Sequence, residues 1–382
     1  MFKTVSLWLH KWMGILSGIV VFILGITGCI YTFHDDLKLI CYPQKYILVS
    51  PGQAQALSLS ELSAIANKSL PDGEKVSRVD LFPAKNRSWI FRAQATDENA
   101  FGHWNYYTYS KRVFVNPYTG EVLAIENSKT EFFQLMLQLH MNLLLGKKIG
   151  HPLVAYSTVL FVFIMLTGVI LWWPKRWKSN KISRSFWPKW SVNWKRLNHD
   201  LHNIIGFYSL ILGLLIGITG LFFSFPAFKT WAGDQLDKLT SGSTAIEKIE
   251  PLNIQWGNNP LDDALSNLLK TYPNSGMMSI RLRKEDAASF DIQIRLEEQK
   301  TNKFKWYYFD KKALTLDKVI SHDKQTAGER LGSLNFDLHT GNIAGWPTKI
   351  LAFIISLFCA SLPVTGYIIW INKSKKRVKR RI

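Results

Sequence analysis

Charge is missing from four long stretches of this 382-residue sequence. The uncharged stretches are 12–33, 152–173, 204–225 and 350–371. As an α-helix each covers about 33 Å, which is enough to cross the roughly 30 Å hydrocarbon core of a bilayer. A helix buried in a soluble protein seldom stays uncharged over this length, so the sequence predicts four transmembrane helices.

Acidic residues are also scarce. The chain has 28 Asp and Glu against 47 Lys and Arg, which gives a net charge of +19. Eight of the basic residues lie in 174–199, which holds no acid, and seven lie in 372–382. Because short basic loops stay in the cytoplasm, we expect both termini and the 174–199 segment there. Beside a membrane helix, a basic tail favours anionic lipid as its partner, and we expect no binding of nucleic acid.

Several familiar motifs are absent. No GxGxxG opens a helix after a strand, and neither a Walker loop nor HExxH occurs, so we expect no flavin or nicotinamide site in this chain. The three cysteines form no CxxCH, which excludes haem attached through that motif. Redox chemistry here would need a cofactor bound without covalent attachment and electrons from a separate donor.

An internal duplication organises what is present. The segment HKWMGILSGIVVFILGITG begins at His10, and HNIIGFYSLILGLLIGITG begins at His202, with eight of nineteen positions identical and no gap. A second pair of segments begins with Leu-His at His140 and His339, and each ends in a Thr-Gly followed by Trp. In that pair the distance from His to Gly is 28 residues in one copy and 27 in the other. Repeats of this kind fix the architecture of a chain.

Between the apolar stretches, the sequence predicts two small α+β modules. In the first, we predict a helix at 60–69 with Ser60 as its N-cap, then strands at 76–82, 88–95, 104–109, 112–115 and 121–125. In the second, we predict a helix at 261–271, then strands at 279–283, 289–296, 305–310 and 313–319. A helical approach to the second span is predicted at 131–145, and residues 328–339 lead into the fourth span.

The predicted division of the chain has eight parts. They are a first transmembrane helix at 1–33, a first module at 34–150, a second transmembrane helix at 151–173, a basic loop at 174–202, a third transmembrane helix at 203–225, a second module at 226–343, a fourth transmembrane helix at 344–371 and a basic tail at 372–382.

Four histidines belong to the repeat, and the predicted topology sorts them. Spans one and three run outward, so His10 and His202 lie at the cytoplasmic edge. Spans two and four run inward, so His140 and His339 lie at the outer edge. Both halves of the chain have the same orientation in the membrane. The two histidines of each pair therefore face each other across an axis along the membrane normal. Imidazoles on facing helices are good axial ligands for haem iron. The sequence therefore predicts two haem b groups, one held by each pair without covalent attachment.

Two glycines support the haem prediction but also allow a second explanation, tight helix packing. Gly14 and Gly206 follow His10 and His202 by four residues, so each shares a helix face with its histidine and leaves room for a flat macrocycle. Tight helix packing would explain the same glycines equally well.

Other histidines stay open as alternatives. His199 could replace His202, and His151 and His34 compete for the outer site. The remaining two, His103 and His322, are expected to be exposed in the modules.

Four phrases in the sequence resemble the PepSY-associated transmembrane family over essentially the whole chain: LHKWMG, VNPYTGEVL, LHMNLLLG and TGVILWWPKR. This bacterial family includes FoxB-type siderophore reductases. The resemblance implies an α-helical inner-membrane protein with four transmembrane helices and two periplasmic PepSY-like modules. It also implies a di-haem electron-transfer protein that reduces ferric siderophores in the periplasm and releases Fe(II) for uptake. The second module lacks the NPxTG turn and has FDKKALTLDKV instead.

Several alternatives remain at this point. The chain could be a non-redox PepSY-type regulator or peptidase inhibitor with structural histidines. It could also be a transporter, although the spans carry no charge and only Pro363 interrupts them. The electron donor, cytoplasmic or in the membrane, is not identified by the sequence.

Aromatic residues form two further features. We expect 104–109 and 306–308 to be corresponding strands whose aromatic side chains either wall a cleft for a bulky iron chelate or pack the sheet. Six tryptophans near the cytoplasmic side would be a docking surface for the donor or an interfacial belt: Trp172, Trp173, Trp177, Trp187, Trp190 and Trp194.

Overall fold

The structure, a computed structural model, describes residues 2–49, 54–173, 186–240, 252–282 and 287–378, with side chains to residue 374. The chain divides into two compact units. The first, here called the helical unit, comprises Met1–Phe33, Met136–Lys229 and Leu338–Ile382. The second, here called the sheet unit, comprises His34–Leu135 and Thr230–Asp337.

The elements alternate between long helices and groups of strands. In chain order they are α1 (Phe2–Thr32), α2 (His34–Cys41), α3 (Pro43–Tyr46), α4 (Leu59–Lys68), β1 (Val76–Leu81), β2 (Trp89–Thr96), α5 (His103–Tyr106), β3 (Tyr107–Val115), β4 (Val122–Asn127), α6 (Phe132–Asn142), α7 (Gly150–Trp172), α8 (Trp194–Ser224), α9 (Pro226–Thr240), α10 (Pro260–Thr271), β5 (Met278–Arg281), β6 (Ser289–Glu297), β7 (Lys300–Asp310), β8 (Thr315–Ser321), α11 (Ala327–Thr340) and α12 (Trp346–Val378).

Four helices in the described residues are long and apolar enough to cross a membrane, and each overlaps one of the four predicted spans: α1, α7, α8 and α12. Helix α1 packs on α7 and α12, and α8 packs on the same two helices. The four helices therefore form a ring in which α1 and α8 are diagonal neighbours. This arrangement is that of a multi-pass membrane protein.

Small residues allow the helices of this ring to approach closely. A Cβ added at Gly25 of α1 would lie 2.7 Å from the Cβ of Ala360 in α12. A Cβ added at Gly217 of α8 would lie 3.1 Å from a methyl of Val162 in α7. In a membrane, such close packing takes the place of the hydrophobic effect as the force between helices.

The sheet unit contains one antiparallel sheet of eight strands, in the order β4-β3-β2-β1-β5-β6-β7-β8. The two modules were predicted as separate, with five strands in the first and four in the second. Each contributes four strands to the one sheet, and they join where β1 pairs with β5, with Val79 opposite Ile280. Alternate side chains point to opposite faces of a strand. One face is accordingly apolar, and it packs with the buried residues Leu62 of α4 and Leu268 of α10.

Two local predictions are wrong. The N-cap of α4 is Ser58 and not Ser60, because Ser58 and Glu61 form a capping box in which the Ser58 N–H donates to Glu61 Oε2 at 3.0 Å. The predicted strand at 104–109 begins with helix α5, which covers Trp104 and Tyr106. Gly102 has a φ of 81°, which turns the chain into that helix, and β3 then runs without a break through Val115.

The Gly25 contact can be tested by a paired substitution. Gly25→Ala places a methyl against Ala360 and 3.0 Å from the carbonyl oxygen of Ser356. We expect a loss of stability of about 1–3 kcal/mol, seen as a lower unfolding temperature of the full chain in detergent. Adding Ala360→Gly removes one clashing methyl, so it should restore part of the loss. A Gly25→Ala protein as stable as its parent would contradict this packing of α1 on α12.

Candidate functional site: two facing histidine pairs

The four repeated histidines lie in the helical unit as two facing pairs. The ring centroids of His10 in α1 and His202 in α8 are 6.2 Å apart, with the planes at 88°. The centroids of His140 in α6 and His339 in α11 are 6.0 Å apart, with the planes at 69°. Each pair brings together the two histidines that the sequence analysis matched.

One ring, that of His10, shows how each histidine is held. Its Nδ1 lies 3.1 Å from Oγ1 of Thr167 and 3.1 Å from the carbonyl oxygen of Ile164, both in α7. The Thr167 hydroxyl donates its own hydrogen to the carbonyl of Phe163 at 2.9 Å. Since both groups facing Nδ1 accept hydrogen bonds, Nδ1 carries the proton. Nε2 is therefore the unprotonated nitrogen, free to bind a metal.

The other three histidines make the same contact with another span helix. Nδ1 of His202 lies 2.8 Å from Oγ1 of Thr365, that of His140 lies 3.0 Å from Oγ1 of Thr27, and that of His339 lies 3.0 Å from Oγ1 of Thr219. All three threonine hydroxyls donate to carbonyls of their own helices. All four imidazoles therefore have the same tautomer.

A glycine follows each of these threonines and touches the same ring. A Cβ added at Gly168 would lie 3.4 Å from Cε1 of His10, and the same distance holds for Gly28 with His140, Gly220 with His339 and Gly366 with His202. We call these Thr-Gly pairs the histidine seats: Thr27-Gly28, Thr167-Gly168, Thr219-Gly220 and Thr365-Gly366. The glycine lets the ring lie flat against the helix backbone.

The histidine seats were missed by the sequence analysis, although the signal was present. Thr-Gly occurs in all four predicted spans, and we used it only as a marker of the repeat. Its role becomes visible only when a ring from one helix is seen against the Thr-Gly pair of another.

The pairs lie at opposite ends of the helical unit. On α1, His10 belongs to one pair and Gly28 is the seat of His140, 18 residues further along. At 1.5 Å per residue the separation along the helix is about 27 Å. Burial lowers the pKa of His140 and His339 to about 4, so both rings are neutral at physiological pH, the form that binds iron.

Open space lies beside the His10–His202 pair. A Cβ added at Gly14 would meet nothing within 4 Å, and one at Gly206 would meet only a methyl of Leu362 at 3.8 Å. Gly18, in contrast, lies under the ring of Tyr367, whose hydroxyl would be 2.9 Å from an added Cβ. Helix packing thus explains Gly18 but neither Gly14 nor Gly206.

The remaining histidines lie apart from the pairs. His199 contacts Asn203 and Asp200 on its own helix. In the sheet unit, Nε2 of His34 lies 3.0 Å from a carboxylate oxygen of the neighbouring Asp35, and His151 is half-buried in the first turn of α7. The expected exposure of His103 is wrong: its side chain is 2% exposed, with Nε2 donating to the carbonyl of Lys129 at 2.8 Å. His322 is half-buried.

Each pair supplies only two ligands to a metal. Among the residues that the structure describes, no group of three or more His, Cys, Asp or Glu side chains could hold a metal ion. A four- or six-coordinate metal between two of these imidazoles would take its other ligands from a non-protein group. A macrocycle that supplies four nitrogens to iron meets this requirement.

Comparison with known proteins adds the family. The family model described as the PepSY-associated TM region matches residues 7–373. The chain belongs to this PepSY-associated transmembrane family. The match includes all four paired histidines and all four histidine seats. No curated protein matches the chain.

Two predicted surfaces, the tryptophan cluster and the basic tail, stay predictions. Trp172 stacks on Phe207 with ring centroids 4.2 Å apart, whereas Trp187 and Trp190 are exposed, which fits a docking surface and an interfacial belt alike. Trp177 and the basic segments 174–185 and 379–382 lie outside the described residues, so lipid binding by the tail is not tested.

Proposed function

We propose that this protein is an inner-membrane di-haem electron-transfer protein. One haem b would be held by His10 and His202, and the other by His140 and His339. The observation that carries the proposal is the spacing within the two pairs, 6.2 and 6.0 Å between ring centroids.

That spacing fits one iron between two imidazoles. On each side of the iron, the metal–nitrogen bond spans about 2 Å, and the ring centre lies just over 1 Å beyond the nitrogen. The two ring centroids would therefore be about 6 Å apart. The histidine seats orient Nδ1 toward threonine and so present Nε2 for iron. At the His10 end, Gly14 and Gly206 leave space beside the rings. A side chain at either position would place its Cβ in that space.

A haem whose iron has two histidine ligands takes up and releases one electron without an open coordination position. The residues of this chain hold the rings in place and fix the tautomer. A hydrogen bond from Nδ1 also makes the imidazole a stronger donor, which favours Fe(III) over Fe(II). The uncharged spans exclude water and ions from the path between the two ends.

We further propose that ferric siderophores in the periplasm receive the electrons, one for each Fe(III), and that Fe(II) is released for uptake. The basic 174–199 and 372–382 segments support cytoplasmic termini, and with that topology the His140–His339 pair and the sheet unit would lie on the periplasmic side. Hard oxygen donors hold Fe(II) more weakly than Fe(III), so reduction loosens the chelate. The substrate class rests on the resemblance to siderophore reductases, and the donor on the cytoplasmic side is not identified.

A non-redox regulator or peptidase inhibitor is the alternative. It would require only that the histidines stabilise the bundle. It offers no reason for four histidines whose Nδ1 atoms all bond to a Thr-Gly seat and whose rings face each other in two pairs.

The first prediction concerns haem content. The purified protein should contain about two non-covalent haems per chain, each low-spin. His10→Ala or His202→Ala should deplete one haem, and His140→Ala or His339→Ala should deplete the other, as measured by reduced-minus-oxidised spectra. His199→Ala and His151→Ala are matched controls that should keep both. Loss of the same haem in His10→Ala and His140→Ala, or colourless wild-type protein, would refute the proposal.

The second prediction concerns the histidine seats. Thr167→Val keeps the shape of the side chain but removes one acceptor for Nδ1 of His10. We expect both haems to be retained and the midpoint potential of one to rise by tens of millivolts, since a tenfold change in preference corresponds to about 59 mV for one electron. Thr158→Val in the same helix is the control, because its hydroxyl donates to Val154 alone and contacts no histidine nitrogen. Equal potentials in the two variants would exclude this role for Thr167.

The third prediction concerns substrate and direction. Dithionite-reduced protein should be reoxidised anaerobically by a membrane-impermeant ferric siderophore added to right-side-out vesicles, but not to inside-out vesicles. His339→Ala should slow reoxidation much more than it lowers total haem. Equal reoxidation in both vesicle types would contradict the orientation. If no ferric chelate reoxidised the protein, the reductase assignment would fail and a haem protein with another acceptor would remain.

A further inference from the structure

Four arginines stand in one row across the centre of the eight-stranded sheet. Arg112 of β3 is directly opposite Arg92 of β2, Arg92 is opposite Arg78 of β1, and Arg78 is opposite Arg281 of β5. We call these four residues the arginine ladder. Residues directly opposite each other point to the same face of a sheet.

The ladder lies on the face opposite the apolar core. Its sequence neighbours Val79, Phe91, Val113 and Ile280 are fully buried on the side of α4 and α10. Arg112 is covered near Glu126 and Lys45, but the Arg78 and Arg92 side chains are 34% and 31% exposed, and Arg281 is exposed. Three members of the ladder can therefore reach solvent.

Like charges directly opposite one another destabilise a sheet. Two carboxylates near the ladder are each shared by two cations, so each offsets only part of the repulsion. Asp80 binds both Arg78, at 2.8 Å, and Arg92, at 3.4 Å. Glu126 likewise binds both Lys45, at 3.2 Å, and Arg112, at 3.4 Å. Burial and the neighbouring Arg112 lower the pKa of Arg92, a sign of cations that are incompletely compensated.

An aromatic pair adjoins the exposed end of the ladder. Trp306 and Tyr308 of β7 stack with ring centroids 5.2 Å apart, and the Arg281 guanidinium lies 5.0 Å from the centre of the Trp306 ring. This is the part of the aromatic strand that does not face the core, since Tyr307 between them is 4% exposed. The surface thus combines fixed cations with flat apolar area.

We propose that the arginine ladder, with Trp306 and Tyr308, binds an anionic iron chelate with carboxylate or catecholate oxygens. Guanidinium groups form paired, charge-assisted hydrogen bonds with such oxygens, and stacked aromatic rings suit the rings of a catecholate. An anion on the ladder would relieve the repulsion between the arginines. This inference rests on the proposed function and narrows the siderophore to a negatively charged one.

Gallium chelates test the inference without electron transfer. Calorimetry on the full chain in detergent would compare a gallium(III) tricatecholate, a trianion, with a neutral gallium(III) trihydroxamate. We expect the trianion to bind more tightly, with an affinity that falls as salt is added. Arg281→Gln should weaken its binding about tenfold, and Arg78→Gln/Arg281→Gln further, with the neutral chelate unaffected.

Arg330→Gln is the matched control. Arg330 is an exposed residue of α11 outside the ladder, and its substitution removes the same charge. Arg281→Gln is the variant less prone to misfold, because the Arg281 side chain lies on the surface. Arg78, in contrast, bonds to Asp80 and Ser279 within the sheet. Trianion binding that survives both ladder variants, equal loss in Arg330→Gln, or equal displacement by inorganic phosphate would overturn the inference. None of these results would bear on the haem-dependent reoxidation, so the two proposals fail separately.

Discussion

The hydrogen bond from each histidine Nδ1 to a neighbouring span helix is the interaction on which the helical unit depends. It ties a ring on one helix to a threonine hydroxyl and a backbone carbonyl on the next, so ring position and helix packing are fixed together. An imidazole in an apolar bundle must have its polar atoms satisfied. Pairing Nδ1 in this way leaves one nitrogen per ring for the centre of the site.

The two units solve opposite electrostatic problems. The spans contain no charged residue in their central stretches, and their chemistry lies in neutral imidazoles. The sheet unit concentrates charge instead, and on one face it places arginines opposite arginines. An apolar bundle disfavours ions in its interior, whereas a charged sheet face attracts groups of opposite charge. The two units therefore suit different kinds of partner.

Much of this architecture could be predicted from the sequence because it depends on strong local signals. Uncharged length specifies the spans, the gapless repeat matched His10 with His202, and the Leu-His and Thr-Gly ends of the second repeat matched His140 with His339. Prediction failed where a contact between distant segments decides the outcome. The joining of β1 to β5, the histidine seats and the arginine ladder all depend on pairings that local periodicity does not contain. Ser58 was missed although the sequence carries the capping-box signature of Ser58 followed three residues later by Glu61.

The spacing from His10 to Gly28 equals that from His202 to Gly220, 18 residues in each case, and both intervals lie within unbroken helices. Each helix therefore fixes the distance between the histidine ring at one end and the seat at the other. Inserting one residue would rotate the far end by about 100° and turn the seat away from its ring. The His140 and His339 segments tolerate the slip from 28 to 27 residues because a non-helical hairpin interrupts each interval. A change of length can therefore be absorbed in these two hairpins, whereas within α1 or α8 it would separate a ring from its seat.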